Sequence, residues 1–143
     1  MTMNTTGSSL PPGAEWEPDP HAASMTYLGA IWRRTCTEGS QVAMIAADHH
    51  LDSDGRVARG VILAFADHAV GSAGIARFGV TQVTIELEVR FIDTAGPGEL
   101  IEGIGDLIGA AEDGDIVFLA GRISANGRLI ATSQGLWKRV KPL

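Results

Sequence analysis

Apolar and polar residues alternate most regularly near the middle of the chain, where Val83, Ile85, Leu87, Val89 and Phe91 are interleaved with Thr84, Glu86, Glu88 and Arg90. A period of two is that of a β-strand with one face buried. The stretch before it has a different rhythm. From Gly60 to about Arg77, residues including Val61, Ile62, Leu63, Phe65, Ala66, Ala69, Val70, Ala73 and Ile75 fall on nearly every side of a helical wheel, and a helix apolar all round is a buried one. Gly60, Ala64, Gly71 and Gly74 keep parts of its surface small enough for strands to approach. Glycine weakens a helix by itself, so packing has to stabilise this one.

On either side the turn signals divide the chain into short strands. Two β-like runs, Ala30 to Thr37 and Ser40 to Ala47, flank Glu38-Gly39 and predict a hairpin. A polar loop from His49 to Val57 leads to the helix. Beyond the alternating strand, turns at Ala95-Gly96-Pro97-Gly98, Asp113-Gly114 and Asn126-Gly127 separate runs at Glu99 to Ala110, Asp115 to Ser124 and Arg128 to Val140. With Val83 to Phe91 these make a four-stranded antiparallel meander. The simplest packing that buries the helix is an α+β arrangement, one curved antiparallel sheet wrapped around one long central helix. Residues 1–20, with Pro11, Pro12, Pro18 and Pro20, read as a flexible tail, a weakly helical stretch follows at Ala22 to Leu28, and residues 21–143 read as one domain.

Composition narrows the function classes. The 143 residues are 45% hydrophobic and 20% charged, as in a single globular domain. A net charge of −6 disfavours a phosphate backbone as partner, so no nucleic acid is expected. The lone cysteine, Cys36, forms no internal disulfide and lies in no metal-ligand spacing. A basic start followed by an apolar run is missing, and the longest apolar stretch is broken by Asp67 and His68. The expectation is a cytoplasmic protein outside the membrane, with no metal and no cofactor.

Asp67 is the residue that stands out, since it lies in the apolar helix with Leu63, Ala64, Val70 and Gly71 three and four positions away, none able to pair with it. A buried carboxylate needs water, a donor from elsewhere in the fold, or a ligand. Two readings stay open: a poised base or nucleophile, or one polar position on a wet seam between subunits. Gly60 at the helix start could place its N–H against developing negative charge on a carbonyl, although glycine is common there. Arg59 opposes the helix dipole unless an anion approaches or its side chain simply enters water. His49 and His50 point opposite ways on an extended segment and His68 faces a third direction, so a metal site is not indicated. Lys138, Arg139 and Lys141 could meet phosphates or merely be solvated. Trp32 and Trp137 read as packing residues.

Read together, Ala58-Arg59-Gly60-Val61-Ile62-Leu63-Ala64-Phe65-Ala66-Asp67 resembles the HGG-x6-D signature of the PaaI-like branch of hotdog-fold acyl-CoA thioesterases, with Gly60 and Asp67 at the right spacing. The strand Val83 to Ile92 and the turn Asp93 to Glu99 resemble that family's central strand and the turn after it. The resemblance implies a hotdog fold, paired sheets in a homodimer or homotetramer, and active sites at the subunit interface. It implies acyl-CoA thioester hydrolysis with Asp67 as base or nucleophile, Gly60 at the helix start and Thr84 positioning the attacking water. Arg59, Asp52, His50 and Arg139 are the expected substrate-binding residues. Three positions depart from the pattern: Ala58 replaces the histidine, Arg59 the first glycine, and Asp52 falls near the expected asparagine. Pairing of Arg59 with Asp52 would compensate. The alternative is a non-catalytic hotdog protein that binds an acyl-CoA or another apolar small molecule. Hydration of an enoyl thioester ranks last, because no D-x4-H arrangement is seen.

Overall fold

The computed structural model describes residues 10–13, 15–36 and 39–140. One helix and one sheet carry the fold: β1 (Glu17–Pro18), β2 (Trp32–Cys36), β3 (Gly39–Ile45), α1 (Arg59–Phe78), β4 (Gln82–Phe91), β5 (Leu100–Ala110), β6 (Ile116–Ala125) and β7 (Arg128–Arg139). A 3-10 segment, Pro20–Leu28, precedes β2. Helix and strand ranges agree with the hydrophobic pattern to within a residue or two for α1 and β3 to β7.

The sheet order is β1-β2-β3-β5-β6-β7-β4, every neighbour antiparallel. The expected meander is therefore corrected. β4 pairs with β7, and the chain crosses from β4 to lay β5 beside β3. Ala95 to Gly98 is a strapped crossover, held where Val57 N–H donates to Ala95 O and Gly98 N–H to Ala46 O, at 2.8 Å each. Arg128 closes it from outside, with Nε 2.9 Å from Asp93 and Nη1 3.1 Å from Glu99. The Asn126-Gly127 hairpin forms as its sequence dictates, both residues having positive φ, 48° and 81°.

The sheet wraps α1. Ile62, Phe65, Ala66 and Ala69 pack into a core with Met44, Ile101, Ile123 and Ala131, and further along Val70 packs with Val117, Leu119 and Trp137. Burying each large side chain contributes about 1.5–3 kcal/mol. Close approach is possible because the facing strands carry glycine: a Cβ on Gly103 would stand 2.5 Å from the Cβ of Ala69. Gly79, with φ 69°, ends the helix by donating to Ile75 O at 2.7 Å. By length and apolarity alone α1 could cross a membrane, but here it is the core helix of a sheet. One side of it is left open, where Leu63 is 42% exposed.

Part of the segment read as tail belongs to the fold. Glu17–Pro18 pairs with β2, and Trp16 and Asp19 are buried. Asp19 caps the 3-10 segment, accepting from His21 N–H at 2.9 Å, with Pro20 at the first helical position; Asp followed by Pro is a capping signal that the surrounding prolines obscure.

Candidate functional site

The strict alternation of β4 does not carry through to the structure. The register with β7 runs Phe91↔Ala131 to Glu86↔Leu136 and then jumps to Thr84↔Trp137, so Ile85 is the extra residue of a β-bulge. Directly opposed residues share a face, and Trp137 is buried against the helix. Gln82 and Thr84 thus turn inward with Leu87, Val89 and Phe91, while Val83 and Ile85 turn outward, 50% and 53% exposed. Apolar residues are given up to solvent and two polar ones are aimed at α1.

Both find partners there. Thr84 Oγ1 donates to Asp67 Oδ1 at 2.6 Å, and Gln82 Nε2 donates to Gly71 O at 2.7 Å. Asp67 is half-buried, and the donor from elsewhere in the fold that its position demanded is Thr84. The pair opens on a cleft of about 410 Å³ whose walls include His68, Gly71, Ile75, Gln82 and Trp137. Among the described residues no group of three or more His, Cys, Asp and Glu side chains gathers to hold a metal ion.

Gly60 lies seven residues before Asp67, two turns along the same helix face and about 10 Å away. Ala58 supplies no side-chain cap, and its carbonyl accepts from Val61 and Ile62 at 3.0 and 3.2 Å. The N–H groups of Arg59 and Gly60 have no partner among the described residues, and both residues are exposed.

The other expected binding residues are not brought to this cleft. Asp52 is an exposed turn residue whose Oδ1 accepts from Asp54 and Arg56 N–H at 2.9 and 3.2 Å. It does not pair with Arg59, whose guanidinium lies 5.9 Å from the ring centre of Phe91. The compensating pair expected from sequence is therefore absent. His50 is 2% exposed; its Nδ1 accepts from Ala47 N–H at 2.9 Å and its Nε2 donates to Leu28 O at 2.7 Å. Burial, joined by the neighbouring His49, holds its pKa below the ordinary 6.5 against the bond to Leu28. Both ring nitrogens are thus committed to backbone, and His50 is a structural residue. Arg139 lies over Phe78, 4.4 Å from the ring centre, with its guanidinium against Gly114.

One pair escaped the sequence reading. His68 Nε2 lies 2.6 Å from Asp19 Oδ2, with side-chain exposures of 8% and 1%. Burial works to raise the Asp19 carboxyl, but the bonds from His68 and from His21 N–H outweigh it and hold the group below its ordinary range.

A long helix wrapped by a seven-stranded antiparallel sheet of this order matches solved structures over most of the chain. A phenylacetic acid degradation-related protein of Ralstonia eutropha, 22% identical, superposes with TM-score 0.70 over 87% of this chain and 92% of its own. The chain has the hotdog fold. Thioesterase superfamily member 2 of zebra fish shares that hotdog architecture at 18% identity, TM-score 0.68, over 80% of this chain and 84% of the other. So does a hypothetical thioesterase of Streptococcus pneumoniae solved with coenzyme A, at 12% identity and TM-score 0.68, over 77% and 88%. By sequence, this hotdog chain matches none of the protein-family models scanned and none of the curated proteins searched.

Proposed function

We propose that the protein hydrolyses acyl-CoA thioesters, with Asp67 as general base or nucleophile at a site shared by two copies of the chain. The observation that carries this reading is the Thr84–Asp67 bond on the open helix face: it occupies one carboxylate oxygen and leaves the other for a water or a carbonyl carbon. As base, Asp67 takes a proton from water as its oxygen adds to the thioester carbon; the C–S bond then breaks and the thiolate leaves. Thioesterase-type neighbours of the same fold, one with coenzyme A bound, support the substrate class.

The helix start supplies the oxyanion donors, and distance decides from which copy. A donor must lie about 3 Å from the carbonyl oxygen, yet Gly60 and Asp67 of one chain are about 10 Å apart along the helix. A second chain that sets its helix start against Asp67 resolves this. Among the described residues β4 is a free sheet edge of ten residues with Val83, Ile85 and Phe91 exposed and Ile92 exposed just beyond it, the kind of edge that pairs with another strand.

The test is release of thiol from short, long and aromatic acyl-CoAs by wild type and by Asp67→Asn. Turnover that falls at least about a hundredfold in the variant is expected. Ala58 and Arg59 at the helix start favour the second reading, a binder without turnover; binding of the panel with no hydrolysis by wild type would establish it instead.

A further inference from the structure

Beyond Asp67 and Thr84 the cleft runs along α1 to Gly71 and Ile75, with Thr81 and Gln82, where the chain enters β4, in its wall. Gln82 reaches from there across the helix. Its Nε2 donates to Gly71 O at 2.7 Å, and its Oε1 lies against Gly74: a Cβ on that residue would press on Oε1 and stand 2.6 Å from Nε2. The carboxamide thus fills the hollow that the two glycines leave between α1 and β4. It fits there poorly. Oε1 is buried without a partner among the described residues, and reversing the amide only sets that oxygen against the Gly71 carbonyl. Gly71 O, in mid-helix, already accepts the bond of its own turn. One extra bond therefore holds the side chain in place while an orphan acceptor opposes it. An unbranched apolar side chain such as that of methionine would fill the same hollow without the orphan. A carboxamide, by contrast, gains partners for both its polar atoms when it swings out to water, and Thr81 beside it is exposed.

We infer that Gln82 is a displaceable plug that sets the acyl length this cleft accepts. In place, it favours short chains; swung out, it opens the face of α1 at Gly71 and Gly74 to a longer one. Gly71 and Gly74 lie about 6 and 10 Å beyond Asp67 along the helix, so a short acyl group stops before the plug and a long one has to displace it. Each methylene that enters the vacated hollow strengthens binding about fourfold. Gln82 is a specificity residue with no part in the hydrolytic step, and the inference rests on the reading of the Asp67 cleft as the acyl site.

Two thioesters test it. Butanoyl-CoA, whose chain ends before Gly71, and decanoyl-CoA, long enough to pass it, are compared on full-length protein by kcat/KM for thiol release and, in an Asp67→Asn background, by calorimetric binding. Substitutions on two different elements should unplug the site alike. Gln82→Ala deletes the carboxamide; Gly74→Ala leaves Gln82 intact but puts a methyl group where its amide lies. Each should raise the decanoyl-to-butanoyl ratio at least about tenfold over that of wild type. Gln82→Met, which refills the hollow, should keep the ratio close to that of wild type. Circular dichroism identifies a variant that has merely unfolded, and the other of the pair then carries the test. An unchanged ratio in a folded Gln82→Ala or Gly74→Ala protein, or a rise in Gln82→Met equal to that in Gln82→Ala, overturns the inference. Unmoved ratios with both thioesters hydrolysed defeat only this inference; ratios that shift in binding without turnover support it and defeat only the activity; and failure of both thioesters to bind defeats the reading of the cleft on which it rests.

Discussion

Asp67 shows how far a single residue can be read. A carboxylate with no partner at helical spacing has to be answered from outside its helix, and Thr84 answers it at 2.6 Å. A hydrogen bond to a charged group contributes about 1.5–3 kcal/mol, so Thr84→Val should lower kcat/KM at least about tenfold while Thr84→Ser retains most of it; equal rates for Val and wild type would remove Thr84 from the site. His50 makes a prediction about stability. Its folded pKa is below the ordinary 6.5, so the unfolded chain binds more protons, and the stability it contributes is full above about pH 6.5 and is lost as pH falls below it. The urea midpoint should drop between about pH 7.5 and pH 5, with a shallower drop in His50→Phe, which is itself destabilised by about 1–3 kcal/mol because Ala47 N–H and Leu28 O lose their partners. Asp19 adds a second, more acidic window, since a carboxyl held low stabilises above its ordinary 3.8 and loses that contribution at lower pH. Neither role was legible in the sequence. Asp19 and His68 are 49 residues apart, and the histidine at 50 is distinguished from its exposed neighbour His49 only by what folds over it.

At the scale of elements, local chemistry fixed more than long-range pairing did. The Asn126-Gly127 hairpin, the β2–β3 hairpin and the helix were legible because turn residues and hydrophobic period are local. Which strand lies beside β4 was not, because both the observed order and a meander satisfy the same turns. The bulge at Ile85 was hidden for the opposite reason: the alternation was so regular that it pointed Val83 and Ile85 inward, and only the register with Trp137 reveals the shift that delivers Thr84 to Asp67. Helix and sheet meet across glycine, where a Cβ on Gly121 would press on Ile104 O and lie 2.7 Å from Val70 Cγ2. Gly121→Ala should therefore cost about 1–3 kcal/mol, read as a lower urea midpoint; an unchanged midpoint would mean that the strands are not so close.

The whole molecule leaves three features open on its surface: the β4 edge, the helix face carrying Gly60, Leu63 and Asp67, and the uncapped helix start. Proposed pairing of two copies covers all three at once. Ile85→Lys, exposed in the single chain and harmless to its core, should shift sedimentation toward monomer and lower activity in step; monomeric protein with undiminished turnover would separate assembly from function. The most direct measurement of the shared site is complementation. Gly60→Pro removes an oxyanion donor in the first helical turn, where the N–H makes no intrahelical bond, and Asp67→Asn removes the base, so each variant alone should release almost no thiol from acyl-CoA. Unfolded and refolded together, they should regain about a quarter of the wild-type rate, because half of randomly formed dimers carry one intact site of two. Mixed dimers that form and stay inactive, or an Asp67→Asn protein that turns over by itself, would contradict a two-chain, Asp67-dependent thioesterase.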